Sequence, residues 1–236
     1  MFYIKQTANE LCEEAARLFV ARVIETTAKN KLFYLSLSGG QTPKILFAEL
    51  VKDRWSRQIP WEKIVFFWGD ERFVPADDVR SNQKMAREYL LAHIPAKHVY
   101  PVPVLDTAEA AAAAYEKQLY QVFGGVPRFD LVLLGMGADG HTASLFPGTS
   151  ALEETRHLAC AVRPPGESMA RITLTYPVLN QAAEVWFFVT GKEKAFPVRQ
   201  IFHEELQTEK LPVQRVQPAS GKVIWFMDAQ AAAFIQ

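Results

Sequence analysis

Two cysteines, Cys12 and Cys160, are all that a chain of 236 residues contains. So few cannot build a disulfide framework, and a reducing compartment is the expectation. An excess of charge is also missing, because 26 Lys and Arg balance 26 Asp and Glu. No global field therefore draws nucleic acid or an anionic membrane, and an anionic ligand must be recruited by a local cluster of charges. No stretch approaches 18 uninterrupted apolar residues, which excludes a membrane-spanning helix. The opening MFYIKQTANELCEEAARLF turns polar within a few residues and shows no secretory apolar core, so a soluble, cytoplasmic protein is expected. The signatures GxxxxGKS/T, HExxH and GxSxG are absent, and the five histidines have no paired metal spacing.

What is present reads as a layered α/β chain. Short β-branched and aromatic runs occur at 32–37, 64–68, 129–134, 171–176, 185–189 and 223–227. Four are continuously apolar or nearly so, the pattern of strands buried on both faces of a parallel sheet. Amphipathic segments separate them. Residues 9–28 carry Leu11, Leu18, Phe19 and Val23 on one side, with Asn9 as the expected N-cap. A second helix is expected over 43–52 from Pro43, and a third over 107–123 from Thr107. The segment 191–202 reads as helical with an interruption at Pro197, and 100–106, with two prolines, as a loop or edge segment. Alternation of strands and helices indicates a layered α/β fold. A single domain over 1–236 suits its length.

Three polar, glycine-containing loops follow three of the strand-like runs: SGGQTP (38–43), GDERFVP (69–75) and GMGADGHTASLFPG (135–148). Ligands of open parallel sheets bind beyond the carboxyl ends of the strands, so the three loops are expected to share one cleft. In the first, Ser38, Gly39, Gly40 and Gln41 lead into a helix opening near Thr42 and Pro43. Inward-turned N–H groups and a helix N-terminus there suit a phosphate, the alternative being a plain turn capped by Thr42. In the second, Asp70 and Arg72 point into the cleft, where Arg72 forks onto an anion, or else they form a solvated internal ion pair. Ser81 and Asn82, shortly after, read as helix-capping residues.

The third loop places Asp139 two residues before His141. Imidazole is the side chain whose ordinary titration falls near neutrality, so it can take a proton from water, and a carboxylate can orient it. The same loop spells GxGxxG, the dinucleotide fingerprint. That motif needs a helix opening at its third glycine and an acid about 20 residues on. Pro147 and Gly148 interrupt any such helix here, and Glu153 and Glu154 lie in a charged stretch. A dinucleotide site is not expected.

Taken together, SLSGGQTP, GDERFVP with RSN, LLGMGADGHTASLFPG, RITLTYPVLNQA, VTGKEKA and LPVQRVQP with GKVIWFMD resemble the 6-phosphogluconolactonases, in family order from residue 35 to about 230. The resemblance implies a three-layer α/β/α fold with a largely parallel, Rossmann-like sheet, related to that of glucosamine-6-phosphate deaminase. It also implies hydrolysis of 6-phospho-D-glucono-1,5-lactone to 6-phosphogluconate, in the oxidative pentose phosphate pathway, with no metal or nucleotide cofactor. It makes His141 the general base; on the residues themselves, either Asp139 or Asp70 is expected to stabilise the imidazolium. It places Ser38 to Thr42, Arg72 and Lys194 at the substrate phosphate, and adds Arg171 as a cleft arginine of the wider superfamily. The partner is a small phosphorylated sugar lactone, and a monomer or homodimer is expected. The rival is the deaminase, whose corresponding loop carries a glutamate just before Pro-Gly; this chain has Phe146 there. A non-catalytic phosphosugar sensor on the same fold is the remaining alternative.

Overall fold

The computed structural model describes residues 1–28, 31–203 and 211–235. Its strands are β1 (Phe2–Lys5), β2 (Phe33–Leu37), β3 (Ile64–Trp68), β4 (Asp70–Arg72), β5 (His98–Val99), β6 (Leu131–Gly135), β7 (Ala159–Val162), β8 (Arg171–Leu174), β9 (Glu184–Val189) and β10 (Lys222–Asp228). The helices are α1 (Ala8–Thr27), α2 (Gln41–Leu50), α3 (Asp53–Ser56), α4 (Asn82–Tyr89), α5 (Ala108–Phe123), α6 (Tyr176–Leu179) and α7 (Ala195–Phe202). Seven strands form a parallel central sheet in the order β1-β10-β9-β6-β2-β3-β5, flanked by helices.

The continuous apolar runs form the middle of this sheet. All five residues of β3 and all six of β9 are buried, as strands covered on both faces require. Each fully buried Phe or Leu contributes roughly 1.5–3 kcal/mol of burial. Helix α1 buries Leu11, Cys12, Ala15, Ala16, Phe19, Val20 and Val23, a stripe at three- and four-residue spacing. From β2 the chain steps outward to β3 and β5, then returns to β6 on the other flank of β2. The β2–β6 boundary is therefore the switch point where the loops diverge and leave a crevice.

Some local expectations are corrected. The N-cap of α1 is Thr7, not Asn9: its hydroxyl accepts the Glu10 N–H at 3.2 Å and the Glu10 carboxylate accepts the Thr7 N–H at 3.2 Å. This Thr-Ala-Asn-Glu capping box satisfies two orphan groups at once, which Asn9 cannot match. Helix α2 starts at Gln41, two residues before Pro43, with Gly40 as an N-cap that offers no side chain. Pro197 does not interrupt α7. It sits at the third residue, where the first-turn N–H groups have no intrahelical acceptor and its missing proton costs nothing. Thr107 caps α5, accepting the Ala110 N–H at 3.1 Å, and 100–106 contains no regular element.

The largest correction concerns the run at 171–176. Only Arg171–Leu174 is a strand, and it lies outside the parallel sheet. It pairs antiparallel with β4 on one side and β7 on the other, in a separate sheet ordered β4-β8-β7. The reason is the turn after β3, where Gly69 donates to Leu37 O at 2.8 Å and accepts the Leu174 N–H at 2.8 Å. The chain leaves the main sheet there, and β4 carries β8 with it above the carboxyl ends of the parallel strands.

Candidate active site

Each loop at the switch point is held by identifiable bonds. After β2, Gly40 adopts φ 106°, a backbone conformation that glycine tolerates and other residues rarely adopt. This turns the chain into α2 with the N–H groups of Gln41 and Thr42 lacking an acceptor among the described residues. Gly39 is needed for space: a Cβ there would lie 1.8 Å from Asn82 Oδ1. Thr42 Oγ1 meets Thr190 Oγ1 at 2.7 Å and ties this loop to the end of β9.

After β3, strand β4 alternates its side chains. Asp70 and Arg72 face the cleft, while Glu71 turns away toward α4 and is buried. Asp70 and Glu71 are buried and Arg72 half-buried in a strand, and Asp70 and Arg72 form no ion pair, so the segment is not a solvated loop. Arg72 donates from Nη1 to the Arg80 carbonyl at 2.6 Å. The Arg80 side chain itself pairs with Asp78 at 2.7 Å and does not reach the cleft. Asp70 accepts from Ser144 Oγ at 2.7 Å and from Asn82 Nδ2 at 3.3 Å.

After β6, the 135–148 loop folds on itself. Gly137 donates to His141 O at 2.8 Å, Gly140 donates to Gly137 O at 3.1 Å, and Thr142 Oγ1 donates to Gly135 O at 2.8 Å. No helix opens at Gly140, and the dinucleotide reading of the glycines fails on geometry. The fold of the loop brings Asp139 Oδ1 to 2.6 Å from His141 Nδ1 and 3.1 Å from the His141 N–H. Desolvation works to raise the Asp139 pKa, but the adjacent His141 charge and its hydrogen bonds outweigh it and hold the carboxyl below its ordinary value. Asp70 makes no bond to His141. Of the two carboxylates, Asp139 is the one joined to the imidazole.

Across the cleft, Arg72 and Arg171 are register partners in the β4–β8 ladder, and Lys194 ends the short 3-10 turn Lys192–Lys194 before α7. Arg171 Nη2 reaches Glu167 at 2.7 Å. Phe146 lies between the two halves, its ring 4.1 Å from the His141 ring and 5.7 Å from the Arg171 guanidinium carbon. Among the described residues Ser38 Oγ bonds only to the neighbouring Gly39 carbonyl, at 3.3 Å, with no base beside it, which leaves a nucleophilic serine without support. A cleft of about 340 Å³ receives Ser38 to Thr42, Asp70, Arg72, His141, Arg171 and Lys194 together. Asp139 stands behind His141 and outside the lining.

Sequence reasoning missed three contributors. Asn82, read as a capping residue, lines the cleft, while Ser81 is the cap of α4 through its bond from the Lys84 N–H at 3.1 Å. Ser144 carries no sequence signal beyond its place in the loop. Asp228, at the end of β10, accepts the Gly191 N–H at 3.0 and 3.1 Å and so holds the turn that presents Lys194.

Fold and cleft together are those of an α/β enzyme that sets a cationic subsite beside a carboxylate–imidazole pair at a parallel-sheet switch point. The chain belongs to the family of glucosamine-6-phosphate isomerases and 6-phosphogluconolactonases, whose model matches residues 6–225. It is 40% identical to a 6-phosphogluconolactonase of Synechocystis over 94% of this chain and 92% of that one. The structure of 6-phosphogluconolactonase from Trypanosoma brucei is 33% identical and matches with a TM-score of 0.89 over 100% of this chain and 98% of the other. A monomeric glucosamine-6-phosphate deaminase is 23% identical, with a TM-score of 0.82 over 99% of both chains, a likeness of fold alone.

Proposed function

We propose that this protein hydrolyses 6-phospho-D-glucono-1,5-lactone to 6-phosphogluconate. The observation that carries the reading is the shared cleft, with the Asp139–His141 pair at one side and Arg72, Arg171 and Lys194 at the other. The names of the full-length relatives support the same substrate.

The substrate phosphate docks on the Gln41 and Thr42 N–H groups and on Arg72, Arg171 and Lys194. A single cation about 4 Å from the phosphate contributes up to ~4 kcal/mol at an effective dielectric near 20, before desolvation. This anchoring orients the lactone carbonyl toward His141. Asp139 accepts the Nδ1 proton, which leaves Nε2 as the basic nitrogen. Nε2 takes a proton from water as the water oxygen attacks C1, giving a tetrahedral oxyanion. Collapse breaks the C1–ring oxygen bond, and the imidazolium returns its proton to the departing ring oxygen. Asp139 stabilises the imidazolium in between. Asp70, bonded to Ser144 and Asn82, shapes the cleft and takes no part in this relay.

The deciding assay supplies freshly generated 6-phosphogluconolactone, corrected for spontaneous hydrolysis, with glucosamine 6-phosphate deamination run in parallel. Accelerated lactone hydrolysis without ammonia release is the expected result. Ammonia release would make the protein a deaminase, and tight binding of 6-phosphogluconate without turnover would make it a sensor. Phe146, where the deaminase loop carries a glutamate, supports the lactonase.

A further inference from the structure

Glu71 is the residue of the Asp70–Glu71–Arg72 strand that faces away from the cleft, and it is a carboxylate almost wholly removed from solvent. An isolated buried carboxylate is costly, and it persists where hydrogen bonds compensate it. Four donors do so here. Oε1 accepts the Arg72 N–H at 2.7 Å and the Asn82 N–H at 2.8 Å. Oε2 accepts the Gln83 N–H at 2.7 Å and the Ser81 hydroxyl at 2.9 Å. The N-terminus of α4 thus closes over one side chain of β4, and the positive end of the helix faces its charge.

The partners of Glu71 bear on Arg72 twice. One is the Arg72 N–H itself, which sets where the side chain leaves the backbone. Ser81 and Asn82 immediately follow Arg80, whose carbonyl accepts from the Arg72 guanidinium at 2.6 Å. A single carboxylate therefore fixes both the root and the tip of the arginine. Asn82, held at its N–H by Glu71, also donates to Asp70 O at 3.0 Å and packs against Gly39 of the phosphate loop.

We propose that Glu71 is a positioning residue for the substrate phosphate, acting through Arg72 and the Asn82–Gly39 contact and touching no substrate atom. The inference rests on the reading of Arg72 as a phosphate ligand. All four groups around the carboxylate are donors, so glutamine, of almost the same shape, turns an amide NH2 toward N–H groups and disrupts the cage.

The test is a double-mutant cycle of Glu71→Gln and Arg72→Ala, read as KM and kcat for the phosphorylated lactone, with melting temperatures alongside. Losing charge-assisted hydrogen bonds corresponds to about a tenfold or larger change in an equilibrium, so Glu71→Gln is expected to raise KM at least about tenfold while kcat changes less. In the Arg72→Ala background the same change adds little, because both substitutions remove one function. Should Glu71→Gln fail to fold, Ser81→Ala removes one of the four donors and is expected to raise KM in the same direction by a smaller factor, again only while Arg72 is present. An unchanged KM, or effects that multiply independently in the cycle, overturns the inference. If Arg72→Ala alone leaves KM unchanged, the phosphate reading of Arg72 fails instead, and the two failures are distinguishable.

Discussion

Arg72 and Arg171 stand directly opposite one another across the β4–β8 ladder, and the buried Nε atom of each has no hydrogen-bond partner among the described residues. Like charges at facing antiparallel positions are destabilising, and unpaired buried donors add to the cost. Glu167 and the Arg80 carbonyl offset only part of it. Such a pair makes physical sense as a receptor for a doubly charged anion. Replacing Arg171 by Met is therefore expected to leave the free protein as stable or more so, while KM for the phosphorylated lactone rises. Inorganic phosphate at about 100 times its Kd should stabilise the wild type by ~2.7 kcal/mol, and the variant by far less at the same concentration. Thermal melts with and without phosphate measure both; an equal phosphate shift in the two proteins refutes the role.

The His141–Asp139 bond carries a kinetic prediction. Positioned acid–base catalysis contributes about 10²–10⁴-fold, so His141→Ala should lower kcat by that range, after correction for spontaneous hydrolysis. A kcat within about threefold of wild type removes His141 as the base. Asp139→Asn should lower kcat by a smaller factor with little change in KM. Asp70→Asn should weaken stability through Ser144 before it affects the acid–base steps.

The same pair has a pH signature. Asp139 is held below its ordinary pKa of 3.8, so its folded state binds protons less readily than its unfolded one. Its stabilising contribution is therefore present above about pH 4 and is lost as pH falls through the depressed value. Denaturation of wild type and Asp139→Asn should differ at neutral pH and converge in acid. Because the carboxylate is about half exposed, the gap should be small. A gap that widens on acidification contradicts the assignment.

Glycine substitutions separate space from flexibility. Gly39→Ala drives a Cβ into Asn82 Oδ1, and overpacking of this kind costs typically about 1–3 kcal/mol. It should lower the melting temperature and raise KM. Gly125→Ala, with nothing within 4 Å of the added methyl, should change neither. Equal effects of the two would place Gly39 outside the phosphate loop.

Both thiols should be unreactive in the native state. Burial, and then the charge of Glu49, push Cys12 up to about 12; burial and Glu154 push Cys160 up to about 11. At pH 8 the more acidic of the two is thiolate about once in a thousand molecules. Alkylation should be slow without denaturant and leave activity intact, as mass spectrometry and rate assays will record.

Strand and helix identity was legible where a residue's immediate neighbours decide it. The IVFFW and VWFFV runs suited strands covered on both faces, and the positions of three glycine-bearing loops after strand-like runs already implied a common cleft. Thr107 capped its helix as the spelling indicated. The Thr7–Glu10 capping box was equally present in the letters, and Asn9 drew attention from it because single-residue preference ignores the reciprocal bond.

The sequence by itself determined the layered α/β class and the family, and marked out candidate cleft residues, because apolar periodicity and short glycine-flanked motifs are local properties of a chain. Only the tertiary structure decided which carboxylate bonds to His141, because Asp139 and Asp70 are equally plausible as letters and differ in where loop closure and Ser144 place them. It alone moved β8 out of the parallel sheet and set Arg171 against Arg72, a pairing between residues about 100 positions apart that depends on the turn at Gly69. It also turned Glu71 from a charged neighbour into the anchor of the arginine beside it, since side chains of a strand alternate between faces and only the packing of α4 says what lies on the far one.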